Sequence, residues 1–295
     1  MLGDMLATLA HRLTIVTCSR ICPLICVLTC LIGASGAQAQ DASAWDKETH
    51  AEARLVAGST VKAADTTYLR AGIEIRLDPG WKTYWRDPGD SGVPPTLDFS
   101  GSENVGAVTV LWPAPERFPD GAGGNSIGYM GRVILPLRVT PKDANQQSSV
   151  HLKLGYAICG NLCVPAEANL ELALSGNGAE EIALEKEELR VPRRVALGAG
   201  RDISIRSVHR EPGGEHEHVV VEVAAPDNAT VDLFVEGPTP EWSLPLPEPS
   251  GTSAGLRRFT FDLDGLPTGA QAQGAVLTFT AVSGDDAIEV PVRLD

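Results

Sequence analysis

Leu69-Arg70-Ala71-Gly72-Ile73-Glu74-Ile75-Arg76-Leu77 sets an apolar or small residue at every odd position and a polar residue or glycine at every even one. A period of two places the odd side chains on one face of an extended chain. Asp78-Pro79-Gly80 then closes the run with turn chemistry. The reading is a β-strand with one buried face. Similar runs recur at Val105–Trp112, Arg132–Thr140, Val150–Ile158 and Asn169–Leu174, separated by turn clusters such as Gly123-Gly124-Asn125 and Pro141-Lys142-Asp143. Short strands at this spacing predict a β-sandwich.

Toward the C-terminus the composition breaks at Ser175-Gly176-Asn177-Gly178. Ala179–Arg190 is the only segment rich in good helix formers, and Pro192 ends it. Strand patterns resume at Asp202–His209, His218–Ala224, Thr230–Val235, Arg257–Leu263, Ala275–Val282 and Ile288–Arg293. The expected organisation is an all-β chain: a sandwich over 40–176, a linker with a short helix over 177–198, and a second, smaller sandwich over 199–295.

Toward the N-terminus, Arg12 and Arg20 precede the apolar run Ile21 to Gly33, and Ala37-Gln38-Ala39 follows. That is the order of a secretory signal peptide covering residues 1–39. The run is short for a membrane span. A retained anchor, or a lipid on Cys30, is the weaker alternative. Export to the periplasm and no membrane insertion of the mature chain are therefore expected. The net charge of −14 argues against nucleic acid or an anionic membrane surface as partner.

Export makes the cysteines informative. Cys18, Cys22, Cys26 and Cys30 fall in the signal segment, which leaves Cys159 and Cys163 in an oxidising compartment. The Val150–Ile158 strand runs straight into Cys159, Gly160-Asn161 supplies a reversal, and Cys163 begins the return strand. Residues flanking such a loop face each other with Cβ atoms about 4.5–5.5 Å apart, and modest adjustment permits a disulfide. A five-residue loop yields only about 2 kcal/mol of chain-entropy stabilisation, against about 4.7 for a hundred-residue loop. Redox exchange, a structural staple and metal binding all stay open at this point.

Beyond the cysteines, Gly80-Trp81-Lys82-Thr83-Tyr84-Trp85-Arg86-Asp87-Pro88-Gly89-Asp90-Ser91-Gly92, Trp112-Pro113-Ala114-Pro115-Glu116-Arg117-Phe118, and Gly128-Tyr129-Met130-Gly131 with Leu135-Pro136-Leu137 stand in that order before Cys159. Together these blocks resemble the N-terminal periplasmic domain of the DsbD thiol:disulfide interchange family, especially its ScsB-like variant. The resemblance covers about residues 45–175. It implies an immunoglobulin-like sandwich whose two cysteines alternate between disulfide and dithiol, without a cofactor. Cys163 would form the mixed disulfide and Cys159 would resolve it. Phe118, in a cap loop around Glu116–Asp120, would shield the sulfurs together with Tyr84 and Tyr129. The implied partners are periplasmic thioredoxin-fold proteins, and copper tolerance and cytochrome c biogenesis are processes linked to the family.

Two departures accompany it. Three residues separate the cysteines here, as in the ScsB-like variant, where the best-known DsbD domains have five. The family's membrane domain and thioredoxin-like domain have no counterpart in these 295 residues, so a separate membrane electron donor is expected.

Rival readings are a copper(I) site made by Cys159, Cys163 and Met130, since soft ions favour thiolate and thioether, or a chaperone-like immunoglobulin-type module with a structural disulfide. Glu215-His216-Glu217-His218, with His209 nearby, has metal-ligand spacing, although a polar hairpin tip is the plainer reading. The Glu185–Glu188 charges read as a solvated helix face. Trp81, Trp85 and Trp112 read as packing. No Lys or Arg stands within four residues of either cysteine. Thiolate stabilisation is accordingly expected from folded neighbours such as Arg86, Arg117 or Arg132.

Overall fold

A computed structural model describes residues 41–63, 66–121, 123–212 and 217–295. The signal-peptide reading, with its four cysteines, lies outside these residues, as do Glu215 and His216. No helix among the described residues is long and apolar enough to cross a membrane.

The first part of the chain supplies strands β1 (Asp46–Glu48), β2 (Ala51–Ala63), β3 (Thr66–Leu77), β4 (Lys82–Gly89), β5 (Thr96–Asp98), β6 (Val105–Val110), β7 (Glu116–Pro119), β8 (Asn125–Met130), β9 (Arg132–Pro141), β10 (Ser148–Cys159) and β11 (Cys163–Leu174). They form two sheets, one in the order β1-β2-β3-β9-β6 and one in the order β11-β10-β4-β8-β7, with β5 also pairing β10. Helix α1 (Glu181–Leu189) follows. Strands β12 (Arg193–Arg194), β13 (Ser204–Glu211), β14 (His218–Ala224), β15 (Asp232–Glu236), β16 (Glu248–Ser253), β17 (Leu256–Asp262), β18 (Val276–Ser283) and β19 (Asp286–Arg293) make two more sheets, β12-β19-β18-β15 and β13-β14-β17-β16. Each pair of sheets encloses its own apolar core. The chain is nearly all β, as its alternating runs require.

The Leu69–Leu77 run lies in β3, at the centre of its sheet. Ala71, Ile73, Ile75 and Leu77 enter the core beside Leu135 and Leu137 of the neighbouring β9, together with Leu152 and Leu154 of β10 from the other sheet. The even face is covered as well, which alternation alone does not foretell. Glu74 is fully buried there, bonded by Arg54, Arg76 and Arg132 at 2.7–3.0 Å. Burial pushes its carboxyl up, but the hydrogen bonds and charges of Arg132 and Arg54 outweigh that and hold it below the ordinary range.

Helix α1 completes this cover. Leu184 packs on Val56 and Ile134, and Gly72 makes the approach possible: a Cβ there would come within 2.6 Å of Leu184 and Ile134. The acidic run is not a solvated face. Glu181, Glu185 and Glu188 converge on Arg70, and the buried Glu187 pairs with Arg190, while Ile182 and Leu189 face outward. A solvated-face reading fails because the buried Arg70 on the sheet draws three of the carboxylates inward.

The two sandwiches meet along β4 and β7. Trp85 is fully buried with its ring centroid 6.0 Å from that of Phe234, and Phe234 and Leu246 of the second sandwich belong to the first core. Arg86 grips Glu236 with two 2.7 Å hydrogen bonds and Glu289 with a third. Arg117 reaches Glu248 at 2.7 Å and the carbonyls of Pro247 and Leu233 at 3.0 and 3.1 Å.

Asp87 sits in this seam. Burial drives its carboxyl up to about 6; the Gly89 amide and Arg86 oppose the shift, and Glu236 adds to it. The folded form therefore holds this proton more tightly than the unfolded chain, whose reference value is 3.8. The associated stability is present below about pH 4 and is lost as pH rises through about 6. Asp87→Asn keeps an oxygen for the Gly89 amide and removes the ionisation. It is expected to stabilise the protein at pH 7.5 by about 1–3 kcal/mol, a gain that fades toward pH 4. Urea unfolding at both pH values reads it, and an equal effect at each would refute the assignment.

Candidate redox site

The β10–β11 hairpin builds the site. Its strands stay in register through twelve pairs, from Ser148↔Leu174 to Cys159↔Cys163. Val150, Leu152, Leu154, Tyr156 and Ile158 of β10 point into the core, so Ala157 and Cys159 lie on the opposite face of the sheet. The two cysteines close a disulfide across the hairpin tip, with Cα atoms 4.1 Å apart. Gly160 turns beneath the indole of Trp81, where a Cβ would lie 3.1 Å from the ring.

The sulfurs differ in access. Cys159 is 0% exposed, whereas Cys163 is exposed at the start of β11. Tyr84 covers the buried partner: its hydroxyl lies 3.0 Å from Cys159 Sγ and 3.2 Å from Cys163 Sγ. A disulfide sulfur carries no proton, so the phenol is the donor to both. Burial raises the Tyr84 pKa, Ser126 opposes this and the Asp120 charge reinforces it. The hydroxyl keeps its proton at neutral pH.

Register explains which neighbours share this face. Cys159 pairs with Lys82, and Lys82 pairs with Met130. Met130 is thus two strands from Cys159, with a lysine between them. Tyr129 pairs with Thr83 instead and turns to the core face, where its hydroxyl donates to the Pro113 carbonyl at 2.8 Å. The expected shielding by Tyr129 is corrected: adjacent residues of a strand point to opposite faces. Phe118 pairs with Ser126 and carries the Lys82 ammonium 5.5 Å from its ring centroid.

The wall beside the disulfide comes from another segment. A groove of about 310 Å³ is lined by Ser91, Gly92 and Val93, with Asp120, Lys82 and Leu162 around it. A second groove of about 330 Å³, lined by Val93, Pro94, Val164 and Pro165, meets the first at Cys163. Val93 is 61% exposed and Leu162 71%. The apolar rim therefore surrounds the accessible sulfur. Gly92 lies against the ring of Tyr84, and a Cβ there would fall 2.7 Å from Cε1. Gly89-Asp90-Ser91-Gly92 carried that signal in its two glycines, but a close approach to an aromatic ring is not legible from a glycine alone.

Residues 52–175 match the family described as thiol:disulfide interchange protein DsbD, N-terminal. This segment resembles a DsbD N-terminal domain. Among solved structures, the chain is similar to the N-terminal periplasmic domain of ScsB from Proteus mirabilis, at TM-score 0.68 and 22% identity, over 87% of this chain and 99% of that one. That likeness extends the shared fold beyond the DsbD N-terminal segment into the second sandwich. No curated protein matches the chain.

The basic neighbours expected to stabilise a thiolate are engaged elsewhere. Arg86 and Arg117 bind the second sandwich and Arg132 binds Glu74. Lys82, the ladder partner of Cys159, is the cation lining the groove. In the second sandwich, His209 pairs with Glu211 and His218 with Asp262. No cluster of three or more metal-ligating side chains occurs among the described residues.

Proposed function

We propose that the chain is a periplasmic thiol–disulfide exchange protein whose working pair is Cys159–Cys163, acting with thioredoxin-fold partners and supplied by a separate membrane electron donor. The observation that carries this reading is the asymmetry of the pair: one sulfur is open at an apolar rim and the other is buried under a phenol. A partner thiolate attacks Cys163 Sγ, a partner–Cys163 disulfide forms, and the Cys159–Cys163 bond breaks. The electron pair passes to Cys159 Sγ, where the Tyr84 hydroxyl already points and can stabilise the new thiolate. The partner's second thiolate then attacks its own sulfur in the mixed disulfide and releases Cys163. The partner leaves oxidised, and this chain holds two thiols after taking up two electrons and two protons. The reverse sequence reduces an oxidised partner, with Cys159 resolving.

A staple is the poorer account, because twelve paired positions already hold the hairpin that the disulfide closes. The copper(I) reading is also disfavoured, since Lys82 places a positive charge between Met130 and the cysteines. The test is equilibration of the folded protein in glutathione buffers with thiols counted by alkylation. Reversible conversion of the pair is expected within the span of exchange proteins, about −120 to −270 mV. A pair that stays oxidised to below about −300 mV would instead be structural.

A further inference from the structure

The wall of the disulfide groove is attached to the second sandwich. Strand β4 leaves register with β8 between Tyr84↔Gly128 and Gly89↔Ser126, so Trp85 to Pro88 stand where the partner strand has only Ile127. These extra residues bulge, and the bulge is where the second sandwich takes hold. Arg86 is clamped by Glu236 and Glu289, Trp85 packs on Phe234, and a Cβ on Gly89 would lie 3.3 Å from Leu246. The chain then passes directly into Ser91-Gly92-Val93, which wall the groove. Ties of the wall to the first sandwich include the exchange between Asp90 and Asn125, with bonds of 3.1 and 2.9 Å, Ser91 Oγ donating to Asp120 at 2.9 Å, and a 3.4 Å contact between the Ser91 and Ser126 hydroxyls.

We propose that the second sandwich is a positioning element for the redox pair, holding the Trp85–Pro88 bulge and thereby keeping the Ser91–Val93 wall closed over Tyr84 and Cys159. This rests on the pair being the exchange site, and it adds what the second sandwich does there. Val93 of the wall lines both grooves where they meet at Cys163, so the clamp also narrows the approach of small thiols to the exposed sulfur, whereas a docking protein supplies contacts to the rim that displace the wall. The residues responsible are Glu236, Glu289, Phe234 and Leu246, all far from the sulfurs in sequence and none touching them.

The test compares wild type with Glu236→Gln/Glu289→Gln, with Leu246→Ala and, as control, with Asp286→Asn, whose partner Arg193 lies within the second sandwich's own sheet. Each is first confirmed folded by thermal melting. The rate of disulfide reduction is then measured with dithiothreitol and with reduced thioredoxin. The clamp variants are expected to react about tenfold faster with dithiothreitol, as removal of a charge-assisted pair holding the closed form implies. The thioredoxin rate should change by less than about twofold, and the control should match wild type for both reductants. That split between reductants is not something general loosening produces, since a merely destabilised domain speeds both. If the double variant does not fold, Leu246→Ala decides.

Wild-type dithiothreitol rates in folded clamp variants overturn the proposal, as does equal acceleration with both reductants. The outcome is separate from the glutathione titration, because dithiothreitol reduces an exchange disulfide and a staple alike. Failure of the titration removes the exchange reading, whereas an unchanged rate removes only the clamp.

Discussion

Cys159→Ala is expected to turn the protein into a trap that accumulates mixed disulfides through Cys163, while Cys163→Ala captures at least tenfold less. In the first variant the remaining thiol sits at the start of β11, exposed and ringed by Val93, Leu162 and Val164. An oxidised partner can reach it and form a disulfide, but no neighbouring thiol remains within the hairpin to resolve it. In the second variant the remaining thiol is fully buried and covered by Tyr84. The two single variants thus differ by access rather than by chemistry. Non-reducing electrophoresis of each variant after mixing with an oxidised thioredoxin-fold protein reads the difference. Equal capture by the two, or more by Cys163→Ala, would show that the wall and Tyr84 do not govern which sulfur meets the partner.

Parts of this site are legible in the amino-acid sequence. The hairpin is, because an alternating strand, Gly160-Asn161 and a second alternating strand are local signals, and the register follows from them. Strand β3 is legible for the same reason. Strand β2 is not: its odd positions Ala51, Ala53 and Ala57 are alanines, which give a faint apolar signal, and Val56 on the even face is buried as well. Strand β4 escaped because Pro88, Gly89 and the bulge interrupt the period that marks a strand. Its chemistry was readable only through family resemblance.

The destinations of Arg86 and Arg117 were illegible for a different reason. Their acceptors stand 116 to 203 positions away, and nothing local distinguishes an arginine aimed at a sulfur from one aimed at a neighbouring sandwich. Tyr129 shows the converse. Its face was fixed by a single step of register relative to Met130, and period two alone decides it once β4 and β8 are known to pair.

Trp85→Ala is expected to destabilise the folded state by about 3–5 kcal/mol, the range for removing a buried indole from a packed interior. Trp85 is fully buried, and its ring faces Phe234 of the second sandwich on one side while Arg86 covers it at 4.4 Å. Truncation leaves a cavity on the line where two cores join, and the surrounding strands cannot collapse into it without breaking the Arg86 grip on Glu236 and Glu289. Trp85→Phe should cost much less. It keeps a ring against Phe234 and deletes a buried indole N–H that has no hydrogen-bond acceptor in the structure. Part of the lost packing is then returned by ending an unsatisfied donor. Chemical denaturation of the three proteins measures both differences. A Trp85→Ala cost below about 1 kcal/mol would mean that the seam contributes little to folding, and that the ion pairs of Arg86 and Arg117 hold the sandwiches together on their own.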